Sequence, residues 1–132
     1  MMNQIRKIAA GLFFVLFLTV FFSCKNDTDV RKQLLARKWN YKEFSMNGEV
    51  MSGEQLGNPW MEFKDDGTYQ AQFGPRLEEG EWRIDKDELL TKSKNDNKEN
   101  RLKIKELTEN SAVFYNETDN TKATVSLVPA SE

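Results

Sequence analysis

Residues 60–73 read WMEFKDDGTYQAQF, and this stretch decides the fold. Before Asp66-Gly67, Met61 and Phe63 alternate with Glu62 and Lys64. After it, Tyr69, Ala71 and Phe73 alternate with Gln70 and Gln72. Alternation with period two places each apolar set on one face of a strand. Asp-Gly between two such runs is a tight hairpin signal, and it predicts a type I′ turn with both central residues at positive φ. The stretch is therefore two antiparallel strands with one apolar and one polar face.

The same pattern extends in both directions. Strands are expected at 38–46, 60–64, 68–73, 79–84, 88–93, 101–107, 111–117 and 122–128. Trp82 shares a face with Ile84, Leu102 with Ile104, Ala112 with Phe114, and Val125 with Leu127. In the first strand Trp39 and Tyr41 share one face and Phe44 and Met46 another, so a bulge is expected near Glu43. Asp85-Lys86-Asp87, Glu109-Asn110 and Asp119-Asn120 are polar breaks of hairpin type. The polar run 94–100 reads as a longer hairpin tip. Residues 47–58, with Gly48, Gly53, Gly57 and Asn58-Pro59, read as the one long connection. Helical period is confined to 29–36, where Val30, Leu34 and Leu35 follow capping candidates Asp27 and Thr28. The expected fold is all-β: an antiparallel up-and-down barrel of about eight strands behind a short N-terminal helix, closed so that no sheet edge is left open. A β-sandwich would need more long crossovers than this chain has.

The N-terminus carries a different message. Arg6 and Lys7 precede an uncharged apolar run from Ile8 to Phe22, and Ser23-Cys24 follows. A basic segment, an apolar segment and a small residue before the cut describe an export signal, and a cysteine at the cut describes the bacterial lipoprotein form of it. The run is short for a membrane span of about 20 residues, and a buried helix of such length would need a polar face. The expected organisation is a leader at 1–23, a lipidated tether at 24–29 with Cys24 as the lipid site, and a single domain at 30–132. Cys24 is the only cysteine, so no disulfide supports the fold.

Charge and composition narrow the function. The chain has 19 basic and 21 acidic side chains, and the leader removes Arg6 and Lys7 without removing an acid. A mildly acidic, mixed surface does not suit nucleic acid, which needs a concentrated basic face. The basic stretch from Lys92 to Lys105 is interleaved with Asp96 and Glu99. The chain has no histidine, so the commonest general base and transition-metal ligand are missing, and with Cys24 acylated no Ser-His or Cys-His nucleophile can be assembled. No catalytic residue, metal site or cofactor is expected. A carboxylate-based hydrolase is the enzymatic route left.

Three stretches carry a family resemblance: LLARKW at 34–39, WMEFKDDGTY at 60–69 and EGEWRI at 79–84. Together they resemble the small lipocalin-like lipoproteins of Bacteroidetes, in which a short helix leads to a tryptophan strand, an acid-glycine-threonine-tyrosine hairpin and a glycine-x-tryptophan strand. The pattern departs at Ala36 and Arg37, where a glycine would precede the first tryptophan. The resemblance implies a lipocalin-like barrel without naming a ligand. With Lys25 beside Cys24, it also implies an outer-membrane location, facing the periplasm or the cell surface.

Candidate contacts for a small hydrophobic ligand are Trp39, Tyr41, Phe63, Tyr69, Phe73, Trp82 and Phe114. The competing reading is that these aromatics fill the core, which a domain of this size needs. Met46, Met51 and Met61 read as gap fillers, and Trp60 as a cover for one barrel end. With a filled barrel, the partner would be an envelope protein gripped by loops such as 47–58. In either case the membrane is reached through the lipid on Cys24.

Overall fold

The computed structural model describes residues 27–131. The leader, Cys24, Lys25 and Asn26 lie outside the described residues. Helix α1 (Asp27–Leu35) precedes β1 (Lys38–Met46), β2 (Glu49–Ser52), β3 (Trp60–Phe63), β4 (Thr68–Phe73), β5 (Arg76–Asp85), β6 (Glu88–Ser93), β7 (Glu99–Leu107), β8 (Ala112–Glu117) and β9 (Lys122–Pro129). All neighbouring strands are antiparallel. β1 pairs with β9 along one side; along the other it pairs with β3 near its start and with β2 near its end. β2 and β3 thus share one strand position, and the sheet closes as an up-and-down barrel of eight positions.

Sequence expectation and structure part at four places. The stretch 47–58 is not one connection. Asn47 and Gly48 both take positive φ, 52° and 90°, which makes the type I′ hairpin that joins β1 to β2. Only 53–59 is irregular, and its ends are fastened to β1: Gly53 N–H donates to Lys42 O at 2.9 Å and Tyr41 N–H to Pro59 O at 3.1 Å. The anchoring point is the bulge between Tyr41 and Glu43, where a change of face was expected. At Asp66-Gly67 only Gly67 has positive φ, 87°. The Gly67 N–H donates to Lys64 O and the Lys64 N–H to Thr68 O, a longer turn ending in a glycine bulge rather than type I′. Asp66 instead stays on the ordinary side and accepts from Thr68 N–H and Oγ1 at 3.0 and 2.6 Å. Finally, β5 begins at Arg76, three residues before the expected 79, and α1 begins at Asp27, within the stretch read as tether.

The barrel has two unlike ends. At one lie the turns after β3, β5 and β7, and α1 is tied across them. The Arg31 guanidinium donates to Lys86 O, Arg37 Nη1 to Glu109 O at 3.1 Å, and Trp39 Nε1 to Leu35 O at 3.0 Å. Leu35 and Trp39 are fully buried there. The core continues through Phe63, Tyr69, Ala71, Trp82, Leu89, Ala112, Phe114 and Leu127. Phe63 meets Trp82 edge-on with centroids 5.3 Å apart. The nine strands and this core are built from described residues, and the barrel closes without residues 1–26. No helix among the described residues is long and apolar enough to cross a membrane.

Candidate functional site

The opposite end is formed by the turns after β1, β4, β6 and β8, and no helix among the described residues covers it. Here the inward faces change character. The inward row of β5 runs Trp82, Gly80, Glu78 towards this mouth, from buried to half-buried. The inward row of β4 runs Tyr69, Ala71, Phe73, and Phe73 is 43% exposed. Of the six exposed large apolar residues among the described ones, Met46, Met51 and Phe73 face inward at this end, Val50 and Leu77 lie on the outer face of the same two hairpins, β1–β2 and β4–β5, and Val30 is on α1.

Five of the seven aromatics expected at a ligand belong instead to the packed half. Trp39, Phe63, Tyr69, Trp82 and Phe114 are at most 4% exposed and sit in the core cluster. A ring that lined an open cavity would keep one face uncovered, and these keep none. Tyr41 and Phe73 are brought together at the mouth, ring edge to ring face, with centroids 5.1 Å apart. Met61 is packed inside, accepting from the Tyr41 hydroxyl at 3.7 Å, whereas Met46 and Met51 are on the exposed rim rather than filling gaps. Trp60 does not cover a barrel end. It lies on the outer face, donating to Gln72 Oε1 at 3.2 Å beneath the Lys38 ammonium.

Sequence reasoning missed the polar floor of the mouth. The Tyr69 ring lies over Gly80 and its hydroxyl donates to Glu78 Oε2 at 3.3 Å. The Thr91 and Ser93 hydroxyls, both buried, are also within reach of it. Burial, then the Glu78 charge, push the Tyr69 phenol up to about 12, and the same two causes raise Tyr41 further. Both phenols therefore stay protonated and sense one carboxylate. The signal was present in the alternation of Glu78, Gly80 and Trp82, but an acid beside Glu79 reads as surface. Phe73, Arg76 and Glu78 border a recess of about 220 Å³. That is smaller than the usual drug-sized pocket of about 300–1,000 Å³. A groove of about 290 Å³ on the outer face, over Leu90, is flanked by Glu81, Arg83, Lys92 and Glu99, with Arg83 and Glu99 paired at 3.4 Å. Among the described residues no group of three acids, histidines or cysteines is placed to hold a metal ion.

A closed barrel of eight antiparallel positions is the architecture shared with solved structures. A lipocalin-like protein from Bacteroides uniformis superposes with a TM-score of 0.55 at 16% identity, over 70% of this chain and 96% of that one. The fold is lipocalin-like. An uncharacterized protein from Bacteroides eggerthii matches over 70% of this chain and 98% of its own, with a TM-score of 0.52 and 16% identity. No protein-family model and no curated protein matches the chain. The lipocalin-like barrel thus accounts for the architecture, and its mouth is where this chain departs from a uniformly packed core.

Proposed function

We propose that the chain is a lipid-anchored, non-enzymatic binding protein of the outer membrane that holds a small, largely apolar ligand at the mouth of its barrel. The carrying observation is the concentration of exposed apolar side chains. Met46, Met51 and Phe73 turn inward and leave their surfaces open at one end of the barrel, while the closed half is packed. Exposed apolar groups gathered at one place, rather than scattered, mark binding surfaces. The ligand rests in the rim and does not descend to Trp39 or Phe114, because those positions are occupied by side chains. Cys24 supplies the attachment, and several acyl chains hold a domain far more firmly than one.

The test uses residues 25–132, which contain the whole barrel. An environment-sensitive apolar dye should brighten on binding, and Phe73→Ala together with Met51→Ala should abolish the response without loss of fold. Apolar compounds that compete should raise the melting temperature, as any ligand of the native state must. An unchanged dye signal across the wild type and the rim variants ends the reading. For the anchor, Cys24→Ser should move the full chain from the membrane fraction to the soluble one. The packed lower half also favours a second reading, in which the same rim grips an envelope protein; stoichiometric co-purification lost in the rim variants would identify that case.

A further inference from the structure

We infer that the mouth selects a ligand carrying a protonated amine, with the ammonium seated on Glu78 and an apolar body resting on Phe73 and the rim. The inference rests on the ligand-binding reading above and gives that ligand a chemical class. It starts from an acid where a barrel of this size would place an apolar side chain. Glu78 belongs to the inward row of β5, between the exposed lip and buried Gly80, and is half-buried. An inward carboxylate at partial burial needs a counter-charge or several donors. Among the described residues its one hydrogen-bond donor is the Tyr69 hydroxyl at 3.3 Å, a long contact for an O–H donor to a carboxylate.

No cation among the described residues forms an ion pair with Glu78. The ion pairs among the described residues are Arg83–Glu99, Arg101–Glu88, Arg101–Glu99 and Lys122–Glu117, and none of them involves Glu78. Arg76 borders the same recess but is exposed at its lip and forms no ion pair with Glu78. The rest of the wall suits a cation. The Tyr41 and Phe73 rings meet beside the acid, and aromatic faces attract an ammonium. Tyr41 and Tyr69 are both held protonated, so they bring hydroxyls and no competing negative charge. Thr91 and Ser93 give the floor further hydroxyls. The recess of about 220 Å³ has room for roughly seven water volumes of about 30 Å³ each, enough for a small aryl- or alkylamine.

The experiment is calorimetry on residues 25–132 with three probes of like shape: 2-phenylethylamine, 2-phenylethanol and 3-phenylpropionate. The amine should bind at least tenfold more tightly than the alcohol, and the anion most weakly. Glu78→Gln keeps an acceptor for Tyr69 and should erase the preference for amine over alcohol while the thermal melt stays intact. Arg76→Gln removes the neighbouring cation and should strengthen amine binding severalfold. Phe73→Ala should weaken amine and alcohol alike. Equal affinity for amine and alcohol, or a preference that survives Glu78→Gln, overturns the inference. So does an apolar dye that binds while none of the three probes does, and that result leaves the apolar mouth standing. Failure of the dye and all three probes together removes the ligand-binding reading itself.

Discussion

Gly80 has no room for a side chain. A Cβ there would come within 2.1 Å of Lys92 O and 2.7 Å of the Tyr69 ring. The backbone oxygen cannot swing away as a flexible side chain would, so Gly80→Ala should cost about 2–3 kcal/mol, in the upper part of the overpacking range, read as a lower urea midpoint. It should also turn the Tyr69 hydroxyl away from Glu78. Tyr69 supplies a second test. Its phenol ionises near 12 when folded and near 10 when unfolded. The folded state keeps the proton longer, so this contribution to stability is whole below pH 10 and is lost as pH climbs from 10 to 12. The urea midpoint should fall across that window, and Tyr69→Phe should flatten part of the fall. At this scale the sequence was a partial guide. Trp39, Phe63, Tyr69, Trp82 and Phe114 were marked as large inward residues, yet alternation alone could not say whether they border a space or fill one. That depends on how far along the barrel each ring sits, which is a matter of register between strands.

Register is also where one element escaped notice. Asn47-Gly48 is the strongest hairpin dipeptide in the chain, but β2 has only four residues and its apolar positions, Val50 and Met51, are exposed. A strand that buries so little shows little alternation. Its turn residues were the readable signal, and the glycines at 53 and 57 obscured them by making the whole stretch look irregular. Since nothing lies within 4 Å of a Cβ at Gly48, its substitution isolates the backbone term. Gly48→Ala should destabilise by about 1 kcal/mol through the positive φ alone, measured by urea unfolding with the core unchanged. A cost of several kcal/mol would mean that the hairpin is packed more tightly than its exposure indicates. Elements bounded by clear punctuation, β4 and β6 among them, were legible to the residue.

On the scale of the whole molecule, the closed barrel was legible because eight half-apolar strands joined mostly by short turns leave few other ways to hide their edges. The difference between the two ends was not legible, because it follows from where α1 is tied. Arg31, Arg37 and Trp39 fasten the helix beneath the packed half. Only Lys25 and Asn26 separate that helix from Cys24 in the sequence. A lipid on Cys24 would therefore make the domain stand on its sealed base with the rim pointing away from its own bilayer. Strands of up to ten residues, rising about 3.3 Å each along a strand tilted about 40° to the barrel axis, raise the rim roughly 25 Å above that base. This is several times the Debye length of about 8 Å in physiological salt. Ligand affinity should then be the same for the anchored protein in neutral and in anionic vesicles as for the free domain. A marked dependence on lipid charge would show the barrel lying on its side. Upright on such a lipid, the cup would be blind to the leaflet beneath it and would sample only what arrives from the aqueous side.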